Sequence, residues 1–343
     1  MKAMVLTAPD TPFQLMEVAD PTPGPDEAIA RVITCGSGLT IQHIRAGRSK
    51  VEYPRIIGHE ITAEVVEVGK GVKSLQVGAP VTAYYYLSCG KCKWCLAGRE
   101  TLCSNILGTI GRVCDGGYAE YIKLPETSFI KLPEGLDYKA YPAEIGVITD
   151  AIATPVKVIG KARIKPDEWV AVVGAGGGLG LQMVQVAKWA KARVIAVDTR
   201  ADKFNACRKA GADMVIDASN EDVALALLEL TDGEGADAVI DFVGSRMSLE
   251  SGFAGLNRGG RLVLLGGSPQ SFMLDSNLLK IEREVMGSKY ATRKEVCDAL
   301  ELVARGEIWP IVSEVVPLEE VEQLHQRLER GLITGRAAVR VAD

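Results

Sequence analysis

The stretch VAVVGAGGGLGLQMVQVAKWA, residues Val170 to Ala190, decides the fold of this 343-residue chain. A continuous apolar run, typical of a buried strand, leads into a cluster of glycines, and apolar residues at helical spacing follow. Glycines in such a loop permit a tight turn and let the backbone approach a pyrophosphate, to which the helix N-terminus offers free N–H groups. The stretch therefore predicts a dinucleotide site at Gly174, Gly177, Gly178 and Gly180.

A second apolar run, RVIAVD, ends at Asp198, eighteen residues after Gly180. An acidic side chain there can accept hydrogen bonds from ribose hydroxyls and repels a 2′-phosphate, so NAD is favoured over NADP. Arg200 follows closely and could soften this preference. The alternative is a glycine-rich turn without a ligand, which Asp198 makes less favourable.

The pattern of apolar residues in the sequence changes near residue 155. Short apolar runs separated by Gly and Pro indicate strands before that point, and buried strands alternate with helices after it. We predict an α/β protein with a mostly β domain at 1–154, a doubly wound parallel sheet of the Rossmann type at 155–289, and a return to the first domain at 290–343. With 47% hydrophobic residues and a net charge of −5, the chain has ample core material and no basic run that would bind nucleic acid. We expect no membrane span and a cytoplasmic location.

Four of the eight cysteines lie within fifteen residues, in the spacing C-x2-C-x2-C-x7-C. Four soft ligands suit tetrahedral zinc, and a site closed by cysteines leaves no position for a substrate. A redox pair would not need four cysteines, whereas an iron–sulfur cluster is possible on ligand count alone. The pattern predicts a structural zinc at Cys89, Cys92, Cys95 and Cys103.

Together with PTPGP at 21–25, GHE at 58–60 and GGRLVLLGG at 259–267, these motifs resemble the zinc-containing alcohol dehydrogenases of the medium-chain dehydrogenase/reductase superfamily, over nearly the whole chain. The resemblance implies a GroES-like catalytic domain with a zinc lobe at 86–106, a small-molecule substrate, and a homodimer or homotetramer. The predicted cofactor contacts further include Thr149, Leu179, Lys203, Val243 and Gly266.

Alcohol-oxidising members of that family typically hold a second, catalytic zinc. Placed on their pattern, the stretch TCGSGLTIQHIRAG at 34–47 puts Gly38 at the first ligand, a cysteine in the family. With Thr149 as anchor, the third ligand falls on Ile145, so that only His59 of the usual ligands remains, with Glu60 beside it. We therefore expect the catalytic zinc to be absent. Glu60, Glu144 or Cys35 could still recruit a metal to His59.

The hydroxyl of Thr40 and the imidazole of His43 match a family proton relay that runs through the nicotinamide ribose. Such a relay needs a small hydroxyl and a base with a pKa near the operating pH. The predicted function is NAD(H)-dependent interconversion of an alcohol and a ketone or aldehyde, without a catalytic zinc. Two alternatives remain open: 1,4-reduction of an activated C=C bond with NAD(P)H, and a degenerate protein that binds NAD without turnover.

Overall fold

The computed structural model describes residues 1–267 and 270–342. This described chain divides into two compact units. Unit 1 comprises Met1–Ala153 and Ala291–Asp343, and unit 2 comprises Thr154–Tyr290. Unit 2 is therefore an insertion in the sequence of unit 1.

The strands of the described residues are β1 Lys2–Leu6, β2 Gln14–Glu17, β3 Glu27–Ser37, β4 Arg55–Ile56, β5 Glu60–Val68, β6 Pro80–Ala83, β7 Tyr86–Leu87, β8 Gly108–Thr109, β9 Tyr121–Pro125, β10 Phe129–Lys131, β11 Trp169–Val173, β12 Arg193–Asp198, β13 Met214–Asp217, β14 Ala236–Asp241, β15 Leu256–Leu264, β16 Glu284–Gly287, β17 Val312–Pro317 and β18 Arg336–Arg340.

The α-helices of the same residues are α1 Leu39–Arg45, α2 Lys93–Leu96, α3 Pro142–Val147, α4 Ala153–Ala162, α5 Gly180–Trp189, α6 Phe204–Lys209, α7 Val223–Leu230, α8 Arg246–Ala254, α9 Ser276–Leu279, α10 Arg293–Ala304 and α11 Val321–Glu329. A π-helical turn, Ile148–Ile152, lies between α3 and α4.

Unit 1 is built around β3, whose side chains are almost all buried. This strand pairs antiparallel with β5, β9 and β18, and β17 continues the sheet parallel to β18. The pairing places Gly36 opposite Glu60 on one side and opposite Ala338 on the other. Residues that are distant in sequence, on β5 and β18, are therefore neighbours at the end of β3.

Unit 2 contains a parallel sheet in which the described strands follow the order β13-β12-β11-β14-β15-β16. Their middle residues are apolar and buried, as in Val170–Val173 and Val194–Val197, because helices cover both faces of such a sheet. This order is that of a doubly wound sheet, the fold predicted from the alternating pattern. The carboxyl ends of the strands, where ligands of this fold bind, carry Asp198 and Asp241.

None of the described helices is both long and apolar enough to cross a bilayer.

Candidate functional site

The glycine loop of unit 2 turns sharply between β11 and α5. Gly174 has a φ of 77°, in the left-handed region that favours glycine, and its N–H donates to the carbonyl of Val197 at 2.9 Å. A Cβ on Gly180 would lie 2.8 Å from the Cα of Ala175 and would also meet the carbonyl oxygen of Gly174. The helix can approach the loop this closely only because position 180 has no side chain. Leu179 precedes the helix, and its carbonyl accepts from Met183 at 2.9 Å.

The carboxylate of Asp198 is hydrogen-bonded to this loop. It accepts a hydrogen bond from the N–H of Gly176 at 2.8 Å and one from the N–H of Arg200 at 3.1 Å. A Cβ on Gly176 would lie 2.6 Å from the Cβ of Lys203 and 3.1 Å from Asp198 Oδ2. Gly176, which the sequence motif did not single out, is therefore required for Asp198 and Lys203 to pack under the loop. A carboxylate has about four acceptor positions, so Asp198 retains capacity for ribose hydroxyls.

Lys203 is nearly buried, and desolvation by burial lowers its pKa, opposed by the neighbouring charge of Asp198. The remaining predicted cofactor residues of unit 2 lie after β14 and β15. The N–H groups of Val243 and Gly244 both donate to the buried carboxylate of Asp241 at 2.7 Å. A Cβ on Gly244 would lie 2.6 Å from the carbonyl oxygen of Gly266, so these two glycines bring the two loops together. Asp241, a turn-capping residue that sequence reasoning missed, fixes the position of Val243.

The four cysteines form a cluster that fits zinc. Sγ–Sγ distances are 3.5 Å for Cys89–Cys103, 3.6 Å for Cys92–Cys95, 3.9 Å for Cys92–Cys103 and 4.0 Å for Cys89–Cys95. Tetrahedral ligands at about 2.3 Å from zinc are about 3.8 Å apart, which these distances bracket. Backbone hydrogen bonds from Cys95 and Ser104 lower the pKa of Cys92 and favour its thiolate, whereas burial raises the pKa of the neighbouring Cys95. Thiolate donors in this geometry suit the structural zinc predicted from the spacing.

A second cluster of metal-capable groups lies in unit 1, formed by His59, Glu60 and Asp150. One ligand atom of each lies within 4.8 Å of the others, and all three residues are buried. His59 Nε2 is 4.0 Å from Asp150 Oδ2, and its ring packs on Tyr85 with ring centroids 4.2 Å apart. Burial lowers the pKa of His59 to about 3, with Arg336 as the next contribution, so the imidazole is neutral at physiological pH.

The guanidinium of Arg336, on β18, lies between the two carboxylates of this cluster. Its Nε donates to Glu60 Oε2 at 3.0 Å, and its Nη2 donates to Asp150 Oδ2 at 3.0 Å and to Glu60 Oε1. Arg336 is buried, and desolvation lowers its pKa to about 10, which leaves it protonated at neutral pH. The fixed positive charge of this site is therefore supplied by the chain itself.

Two glycines at the end of β3 make room for this ion pair. A Cβ on Gly36 would lie 2.7 Å from Val147 and would collide with the Glu60 carboxylate. A Cβ on Gly38 would lie 2.6 Å from Cζ and 2.9 Å from Nη2 of Arg336. The φ of Gly38 is −157°, which other residues also adopt, so the lack of space and not the backbone requires glycine here.

Two predictions about metal ligands need correction. Ile145, placed at the third ligand by the Thr149 anchor, is a fully buried apolar residue, whereas Asp150 is the residue beside His59. Cys35 lies on the other face of β3 from Gly36, because neighbouring strand residues alternate in direction. The Sγ of Cys35 lies close to Gly117, since a Cβ on Gly117 would be 3.0 Å from it. Burial raises the pKa of Cys35, which disfavours its thiolate form. Within the described residues, the cluster at His59 contains neither Cys35 nor Glu144.

Thr40 and His43 both lie on α1, three residues apart and hence on one side of the helix, which starts directly after Gly38. Both side chains are partly buried. Burial, with the nearby charge of Arg48 as a smaller cause, lowers the pKa of His43, so the ring is neutral near pH 7. Thr149 lies in the π-helical turn, where its hydroxyl donates to the carbonyl of Gly146 at 3.3 Å.

Comparison with known proteins decides the family. Residues 24–134 match the alcohol dehydrogenase GroES-like domain, and residues 178–305 match the zinc-binding dehydrogenase domain. An alcohol dehydrogenase of Geobacillus stearothermophilus is 36% identical over 350 residues, covering 100% of both chains. This chain belongs to the zinc-containing alcohol dehydrogenases.

The solved structures agree with this assignment. A crystal structure of an NAD-dependent alcohol dehydrogenase has a TM-score of 0.91 at 29% identity and covers 100% of both chains. The alcohol dehydrogenase of the archaeon Aeropyrum pernix also reaches a TM-score of 0.91, at 31% identity over 99% of this chain and 100% of that one. The predicted family and fold, a GroES-like domain and a Rossmann domain, are confirmed, and the chain is an NAD-dependent oxidoreductase of the medium-chain alcohol dehydrogenase type.

The three candidate sites differ in whether their residues fit the NAD, the structural zinc and the catalytic zinc of the family. The glycine loop fits NAD, since Gly176 and Gly180 permit the close packing of Asp198 and of α5 against the loop. The four cysteines fit a structural zinc. The cluster at His59 does not fit a catalytic zinc while Arg336 is in place, because its guanidinium already binds the carboxylates that would be the ligands. Residue 38 is moreover glycine, which offers no side-chain ligand.

Proposed function

We propose that this dehydrogenase interconverts an alcohol and a ketone or aldehyde with NAD(H), and that it does so without a catalytic zinc. One observation supports this most strongly: α1 retains Thr40 and His43 directly after Gly38, where the guanidinium of Arg336 takes the space of a metal ligand. The groups for proton transfer are kept while the metal ligand is lost.

The residues of unit 2 would bind the cofactor, which supplies the hydride acceptor or donor at its nicotinamide. The backbone N–H groups around Gly177, Gly178 and the start of α5 would bind the pyrophosphate. Asp198, held by the loop and Arg200, would accept hydrogen bonds from the adenosine ribose and select NAD against NADP. Lys203, Val243 and Gly266 complete the proposed contacts of unit 2, and Thr149 is the proposed cofactor residue of unit 1.

The proton would move through Thr40 and His43. The Thr40 hydroxyl can accept the hydrogen bond of the substrate hydroxyl and donate its own proton, and the ribose of the bound cofactor would supply the link towards His43. His43 would accept that proton, since its depressed pKa keeps the ring neutral and able to act as a base. In ketone reduction the same groups would return the proton.

Without a metal, the developing charge on the substrate oxygen loses several kcal/mol of stabilisation. The substrates expected to react best therefore have a more acidic hydroxyl, such as one next to a carbonyl group.

The test is steady-state kinetics with NAD⁺ and a panel of simple and carbonyl-substituted alcohols, on the wild type and on Thr40→Val. Loss of the hydroxyl should lower kcat/KM about 10²-fold or more, a larger factor than its effect on the dissociation constant for NADH. Thr127→Val, an exposed threonine of unit 1, is the matched control and should keep full activity. Equal activity of the two variants would refute the relay.

The panel also includes α,β-unsaturated ketones with NADH, since an enolate can be stabilised by hydrogen bonds without a metal. Turnover of these compounds, with none of any alcohol, would replace the proposal by 1,4-reduction. Tight NADH binding without turnover of either class would indicate a degenerate protein. We further propose a cytoplasmic homodimer or homotetramer with one structural zinc per subunit.

A further inference from the structure

The cluster of unit 1 contains buried groups of both charges. Glu60 and Asp150 each bring a carboxylate, and Arg336 is the cation that binds both. All three side chains are at most 5% exposed. We infer that the guanidinium of Arg336 is the resident cation of this site, and that together with Gly38 it excludes a second zinc from His59, Glu60 and Asp150. This inference rests on the zinc-free part of the proposed function.

Space is the first argument. A side chain at position 38 would begin 2.6 Å from the central carbon of the guanidinium. A thiolate ligand at that position and Arg336 in its observed place are therefore mutually exclusive. The glycine removes a metal ligand and at the same time creates the volume that Arg336 fills.

Charge is the second argument. A zinc ion would need the oxygens of Glu60 and Asp150 that now accept from Nε and Nη2 of Arg336. If it displaced these hydrogen bonds, it would leave a buried guanidinium without its carboxylates, beside a doubly charged ion. Leaving a buried charge without its partner is strongly unfavourable, and this change therefore disfavours metal binding.

Zinc per subunit, measured by elemental analysis after dialysis against zinc-containing and then zinc-free buffer, tests the inference independently of activity. Wild type should hold about one zinc, in the cysteine cluster. Arg336→Met should hold about two, since it frees the donors of Glu60 and Asp150. Arg340→Met, an exposed arginine on the same strand, is the matched control and should hold about one. Arg336→Gln, similar in length and able to hydrogen-bond the carboxylates, replaces Arg336→Met if that variant does not fold.

Glu60→Gln added to the Arg336 variant should abolish the second zinc and thereby locate it. About one zinc in both wild type and a folded Arg336 variant would overturn the inference, while leaving the zinc-free mechanism intact. About two zincs in the wild type would overturn the inference and the zinc-free mechanism together, but not alcohol dehydrogenation itself. Persistence of the second zinc after Glu60→Gln would also overturn the inference, because the metal would then be bound elsewhere.

Discussion

His325, on α11, lies at the centre of a buried hydrogen-bond chain in unit 1. Its Nε2 is 3.2 Å from the hydroxyl of Ser37 and 3.0 Å from that of Tyr118, and its Nδ1 is 2.7 Å from Oε1 of Gln42. The Gln42 amide donates in turn to Glu329 at 2.7 Å. Replacing His325 by glutamine should therefore reduce the sensitivity of the fold to acid.

The size of this effect follows from the protonation of His325 in the folded and the unfolded protein. Burial lowers the pKa of His325 from 6.5 to about 3, with a smaller lowering by Arg45 that Glu329 opposes. Below pH 6.5 the unfolded chain binds a proton that the folded protein does not bind until about pH 3. The free energy of unfolding therefore falls as the pH drops through this window, by about 1.4 kcal/mol between pH 7.5 and 5.5 for this one group.

Urea unfolding at these two pH values, followed by tryptophan fluorescence in zinc-containing buffer, measures the effect. Other titrating groups contribute equally to both proteins, so the loss of stability should be smaller in His325→Gln than in the wild type by about 1.4 kcal/mol. Gln326→His, which adds an exposed histidine at the next position of α11, should behave like the wild type. An identical loss in wild type and His325→Gln would show that His325 titrates like an exposed histidine, and the reasoning from burial would fail.

Two further predictions concern the other sites. Asp198→Asn removes the charge but keeps an acceptor for the Gly176 N–H, so kcat/KM for NADP relative to NAD should rise about tenfold; an unchanged ratio would exclude electrostatic selection. Cys103→Ser should lower the zinc content and should lower the Tm by several °C, whereas Cys297→Ser, outside the cluster, should change neither. Zinc retained at the wild-type level in Cys103→Ser would contradict the assigned ligand set.

The features that the sequence predicted best are local. The strand, glycine loop and helix at 170–190 are consecutive in the chain, and the four cysteines lie within fifteen residues, so spacing alone defines both geometries. The cluster at His59 is different, because Asp150 and Arg336 come from segments 91 and 277 residues further along the chain. The pairing of β3 with β5 and β18 brings Arg336 to Glu60, and the π-helical turn that carries Asp150 packs against β5.

The register error at Ile145 has a local cause as well. The segment after α3 is apolar except for Thr149 and Asp150 and passes through a π-helical turn, so a single threonine did not fix its alignment. A usable signal was nevertheless present in Gly36 and Gly38. Two glycines spaced two residues apart at the end of a buried strand mark a place where large side chains from elsewhere need room.

The division of unit 1 into two segments determines the order in which its parts can assemble during translation. All of unit 2 leaves the ribosome before β18 does, so the parallel sheet can fold as a contiguous domain while the sheet around β3 is still incomplete. Glu60 and Asp150 are by then already synthesised, without the arginine that pairs with both of them. Burial of these two carboxylates must therefore await the last strand, which makes the arrival of Arg336 a late step in the maturation of the catalytic domain.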